Sequence, residues 1–171
     1  MLTKLSGFGD IRNIGSGNIG ATNVLRTGNK LIGYSTLFLD VTKAVIPVIY
    51  VKLNYPDYIF ISSLCIFLGH VFPIWLKFKG GKGVATYLGI LFSINLIIGF
   101  VFIGVWFLTF LISKYSSLSS LVGSLSIPIY LFFFTSQDLV FFSIMFILIF
   151  YTHRENVKRL KNKEENKTKI Y

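Results

Sequence analysis

Long apolar stretches set between short basic loops constrain this chain more than any other feature. They run from about Leu31 to Val51, Tyr58 to Leu76, Val84 to Ile112, Leu118 to Thr135 and Leu139 to Tyr151. A helix needs roughly 20 apolar residues to cross the hydrocarbon of a bilayer, and its backbone polar groups must be satisfied within the segment. The first two stretches supply one span each. Composition agrees: 53% of residues are hydrophobic and 14% charged, where a soluble domain carries about 25% charged residues. Disorder, collagen and a disulfide scaffold are excluded, and Cys65 is the only cysteine. The chain reads as an all-α integral membrane protein, one domain over residues 1–171.

The third stretch decides the topology. Its 29 residues are long for one span and short for two, and Ser93-Ile94-Asn95 offers a turn near the middle. If that turn makes a hairpin, every Lys and Arg except Lys43 and Lys52, 15 of 17, falls on one side. The positive-inside rule selects the hairpin and makes that side cytoplasmic. The expectation is a compact polytopic bundle of about six spans, with both termini and a charged tail over residues 160–171 in the cytoplasm. The formal charge of +10 is then a record of membrane orientation, and no nucleic-acid partner is expected.

The loops on that side hold residue types that crossing a membrane does not require. Gly15, Gly17 and Gly20 match G-x-G-x-x-G formally, but no strand precedes them and no βαβ unit follows, so a dinucleotide fold is excluded. Clustered glycines can still converge backbone N–H groups on an anion. Ser16, Asn18, Thr22 and Asn23 add neutral donors, and Arg26 adds a fork suited to phosphate. A solvated flexible loop is the plain alternative. The second loop, from Gly69-His70 through Pro73 to Lys79-Gly80-Gly81-Lys82-Gly83 and Thr86, resembles a Walker A loop without being one, because Gly83 stands where a hydroxyl should hold magnesium. It too suits a phosphate, unless Lys77, Lys79 and Lys82 are topology signals only. His153 and Asn156 follow the last span on one helix face. Histidine there can orient a substrate, move a proton or simply snorkel.

Two charges inside a span need a reason. Asp40 and Lys43 each cost about 2.5–3.5 kcal/mol at a bilayer centre if unpaired, so pairing or a polar cavity is expected. Ser117 and its neighbours supply hydroxyls on the basic side. His70 and His153 are not followed by Asp at the fifth position, no G-x-S-x-G elbow is present, and no metal-ligating cluster is visible. Neither a metal nor a cofactor is expected.

Three segments together resemble the bacterial acyl-phosphate:glycerol-3-phosphate acyltransferase family of the PlsY type. They are Asp10-Ile-Arg…Gly15-Ser-Gly-Asn…Gly20-Ala-Thr-Asn-Val-Leu-Arg26, Gly69-His70…Pro73…Phe78-Lys79-Gly-Gly-Lys82-Gly-Val-Ala-Thr86, and His153…Asn156…Arg159-Leu160. The resemblance implies a bundle of seven helices with its motifs at the cytoplasmic face of the inner membrane. It also implies acyl transfer from acyl phosphate to the 1-hydroxyl of glycerol 3-phosphate, without acyl-CoA, carrier protein or metal. By position, Ser16 and Arg26 become essential polar residues, Gly80 to Gly83 with Lys82 a phosphate loop, and His153 and Asn156 the completion of the site. A small membrane transporter of phosphorylated anions is the rival reading. Two departures stand out. Lys163 replaces the family's glycine ahead of its final Glu, here Glu165. The family's first helix also has no counterpart in the roughly 14 residues before the glycine loop, where a span needs about 20. An apolar stretch upstream of Met1 is therefore expected.

Overall fold

Asparagines, glycines and single basic residues break the apolar runs into helices that stop where the chain must turn. A computed structural model describes residues 9, 11–13, 17–136 and 138–168. Among these, a 3₁₀ turn at Ile11–Asn13 is followed by α1 (Ala21–Leu25), α2 (Lys30–Asn54), α3 (Ile59–Val71), α4 (Val84–Ile94), α5 (Leu96–Ser113), α6 (Ser116–Phe134), α7 (Leu139–Thr152) and α8 (Arg154–Lys161). The described residues contain no strand. Three helical segments, Pro56–Leu76, Leu96–Ser113 and Ser116–Phe134, are long and apolar enough to cross a bilayer, and α4 and α7 are shorter apolar helices. With the 25-residue α2, which carries Asp40, Lys43 and Lys52, these helices make up the bundle from α2 to α7.

The expected break in the third stretch falls at Asn95. Its backbone is extended (φ −153°, ψ 124°) between α4 and α5, and its side chain caps α5 by accepting from Ile97 N at 2.8 Å. The two helices then fold against each other. Phe92 of α4 lies so close to Gly99 of α5 that a β-carbon there would stand 2.6 Å from the ring. At the same end, Lys52 Nζ donates to the Ser93 and Ile94 carbonyls, both at 2.9 Å. The orphan carbonyls at the α4 C-terminus thereby gain a cation, the charge that terminus favours.

The core lies between the helices and is built from Val48, Phe67, Tyr87, Ile90, Leu91, Ile127, Phe142 and Met145, all buried. Phe100, Phe132, Phe133 and Val140 point outward and are exposed. Both faces of these helices are apolar, as a helix between protein and lipid requires.

Candidate active site

The first glycine-rich loop is tied down from within. Asn23 is buried, and its Nδ2 donates to Ile11 O at 3.0 Å and Asn18 O at 2.8 Å. Ile11, Val24 and Ile32 bury together beneath it. Asn18, Thr22 and Arg26 then reach a shared cavity, and Thr22 Oγ1 stands 3.4 Å from Ser116 Oγ at the start of α6. Asn23 borders that cavity too, although its amide is spent on the loop. Gly17 is exposed and does not line it. Gly15 and Ser16 lie outside the described residues.

The second loop folds back onto the end of α3. Gly80 N donates to Val71 O at 3.0 Å and Gly81 N to His70 O at 3.3 Å. Gly83 must be glycine twice over: its φ is +84°, and a β-carbon would stand 2.2 Å from the Phe67 ring. That turn aims Lys82 Nζ at Asn156 Oδ1, to which it donates. Its carbonyl is held by Thr152 Oγ1 at 3.0 Å. Four other candidates in this loop do not border the cavity. Lys79 is exposed, and Gly80 and Gly81 pack against His70. Thr86 is fully buried in α4, and its hydroxyl has no partner among the described residues.

Glu165 is the hub. Its Oε1 accepts from Ser117 Oγ and Asn156 Nδ2, both at 2.7 Å, and its Oε2 from Arg159 Nε at 2.7 Å. The segment carrying it lies across the site. Asn166 O and Thr168 Oγ1 meet Arg26 Nη2 at 3.3 and 3.4 Å, and Thr168 N donates to Lys114 O at 2.9 Å. The sequence signal for this hub was the match of Glu165 to the family's final Glu, in a charged tail where Lys163 and Glu164 precede it.

Burial and charge tune the cluster. Burial, with Arg159 nearby, lowers Lys82 to about 8 despite the opposing pull of Glu165. Burial would raise the Glu165 carboxyl, but hydrogen bonds from Arg159, Ser117 and Asn156 outweigh it and hold it below its ordinary value. His153 is buried between α7 and α8, and burial together with Lys82 lowers it to about 4. It is therefore neutral near pH 7. Its Nδ1 donates to Ile149 O at 2.8 Å, which leaves Nε2 as the acceptor. Three cations, Arg26, Lys82 and Arg159, thus face one carboxylate, an excess of two positive charges.

The cavity at this cluster has a volume of about 380 Å³. Arg26, Lys82, Ser117, His153, Asn156 and Glu165 border it, as do Asp40 and His70, and its apolar walls include Leu37, Leu88, Phe102 and Trp106. Among the described residues no group of His, Cys, Asp or Glu could hold a metal ion.

Such a fold and site define a multi-pass membrane enzyme with a cationic pocket at one end of its helices. The chain matches the family described as glycerol-3-phosphate acyltransferase over residues 1–163. It is 75% identical over 171 residues to the glycerol-3-phosphate acyltransferase of Pelagibacter ubique, covering 100% of this chain and 90% of that protein. Its namesake in Bradyrhizobium diazoefficiens is 47% identical over 98% of this chain and 85% of its own length. The crystal structure of PlsY (YgiH), an integral membrane glycerol 3-phosphate acyltransferase in its glycerol 3-phosphate form, superposes with a TM-score of 0.89 at 37% identity. That match covers 97% of this chain and 85% of that one. The lysophosphatidic acid form gives a TM-score of 0.81 at 36% identity, over 89% and 80% of the two chains. This chain belongs to the glycerol-3-phosphate acyltransferase family.

Proposed function

We propose that this protein transfers a fatty acyl group from acyl phosphate to the sn-1 hydroxyl of glycerol 3-phosphate, at the cytoplasmic face of the bacterial inner membrane. The products are lysophosphatidic acid and phosphate. One observation carries the reading: Arg26 and Lys82 border a cavity that also has an apolar wall of Leu37, Leu88, Phe102 and Trp106, and Arg159 pairs with the Glu165 carboxylate beside them. Phosphate groups suit the cations and an acyl chain the apolar wall.

Acyl phosphate arrives activated, so the site must orient two anions and stabilise charge more than supply a covalent nucleophile. The sn-1 hydroxyl oxygen attacks the acyl carbon, the bond from that carbon to the phosphate oxygen breaks, and phosphate leaves. Lys82 and Arg26 hold the phosphates. His153 Nε2 accepts from the attacking hydroxyl and orients it; with so weak a base, the proton ends on the departing phosphate. Asn156 keeps Lys82 in place, and Ser16 serves as a hydrogen-bonding residue rather than an acyl carrier.

The test is an assay of the purified protein with palmitoyl phosphate and labelled glycerol 3-phosphate. It is expected to yield 1-acyl lysophosphatidic acid without added metal and undiminished by EDTA. Equal rates with acyl-CoA, or loss of activity with EDTA, would count against it.

A further inference from the structure

Asp40, Lys43 and His70 form a second polar cluster, which the mechanism above leaves unused. Lys43 Nζ donates to Asp40 Oδ1 at 2.6 Å and to His70 Nδ1 at 2.5 Å. Lysine brings only donors to such a contact, so Nδ1 is the acceptor and the ring proton sits on Nε2. Nε2 faces the glycine loop, for a β-carbon on Gly81 would stand 2.2 Å from it. The backbone of the same turn completes the clasp. His70 O and Val71 O accept from Gly81 N and Gly80 N, and a β-carbon on Gly80 would stand 2.1 Å from His70 O. The loop therefore has no room to move toward α3, and its next residue is Lys82. The cluster also joins two elements, since Asp40 and Lys43 belong to α2 and His70 to α3.

We propose that Lys43 and His70 are positioning residues, with Asp40 orienting Lys43, and that together they fix the Gly80–Lys82 loop and so set the affinity for the substrate phosphate. This rests on the reading of the pocket as a phosphate site. Lys43 does not border the cavity and acts through the His70 ring, which holds the loop and also borders the cavity, as Asp40 does. Loss of Lys43 or of the ring loosens Lys82 against the bound anion before it slows the chemistry.

The experiment uses the full chain purified in detergent, with the dissociation constant for glycerol 3-phosphate measured by calorimetry beside KM and kcat. Lys43→Met is expected to raise the dissociation constant and KM about tenfold, with kcat within about threefold of the unmodified protein. Lys43→Arg, which keeps a donor, should restore both. The pair Lys43→Met with His70→Asn should bind no worse than His70→Asn alone, because two residues acting in series are not additive. Should the methionine variant fail to fold, Lys43→Gln gives the same reading. A folded Lys43→Met with a lowered melting temperature and unchanged KM and affinity would reduce the cluster to glue between α2 and α3 and overturn the proposal. Additive losses in the pair would overturn it as well. If the unmodified protein binds glycerol 3-phosphate but transfers no acyl group, the proposed reaction fails while the affinities still judge the cluster. Absence of binding would sink both.

Discussion

Lys82 holds its proton less firmly than any ordinary lysine, because burial and Arg159 both work against its charge. Anion binding needs that charge, so kcat/KM for glycerol 3-phosphate should fall as pH rises through about 8, approaching about tenfold per pH unit. The substrate phosphate ionises near pH 6, well below this limb. Lys82→Arg, which stays charged, should remove the limb from a pH–rate profile; a limb unchanged in that variant would assign it to another group. At this scale the sequence was most readable where a residue type has one purpose. Lys82 between glycines, Arg26 after a glycine loop and the pair His153 and Asn156 all carried a chemical reason, and the cavity gathers them. Gly80, Gly81, Lys79 and Thr86 could not be sorted in advance, because a glycine that cradles a phosphate and one that packs against a histidine ring look alike in one dimension. Glu165 was legible only through the family resemblance, since by itself a carboxylate among Lys161, Lys163 and Lys167 reads as a solvated tail.

The element that delivers Glu165 is the end of α8. Lys163 N donates to Leu160 O at 3.1 Å and Glu164 N to Arg159 O at 2.8 Å, the paired bonds of a Schellman stop. Lys163 occupies its left-handed position at φ +62°, where a side chain costs about 1 kcal/mol or more. The turn is thus made by a lysine in a conformation that favours glycine. Lys163→Gly is expected to stabilise the folded protein by up to about 1 kcal/mol, discounted for the freer unfolded chain, with KM unchanged. Thermal unfolding in detergent beside an activity assay would check it, and a drop in melting temperature would contradict the assignment. Helix boundaries were legible for a similar reason. The hairpin at Asn95 was forced by counting charges, not by local propensity, and the asparagine then served as a cap. The lengths of α3 and α4 were less legible, because the loop between them turns back on α3 through backbone bonds that no side-chain pattern announces.

Across the whole molecule, the basic loops meet at one end of the bundle, while Lys52 and Asn95 mark the other. Single cysteines at Lys30, Lys79, Lys114 and Lys161, in a Cys65→Ser background, should be shielded from an impermeant thiol reagent in intact cells. Cysteines at Asp57 and Asp138 should be labelled. Reaction at Lys114 alone among the first group would put that loop outside and break the hairpin topology. The convergence on Glu165 has a further meaning for how such a protein comes into being. Two of its cations, Arg26 and Lys82, are synthesised well before the carboxylate that organises them, and Arg159 is made beside it. A nascent chain, inserting helix after helix, therefore holds mutually repelling charges without their common counter-ion until α8 has formed and turned.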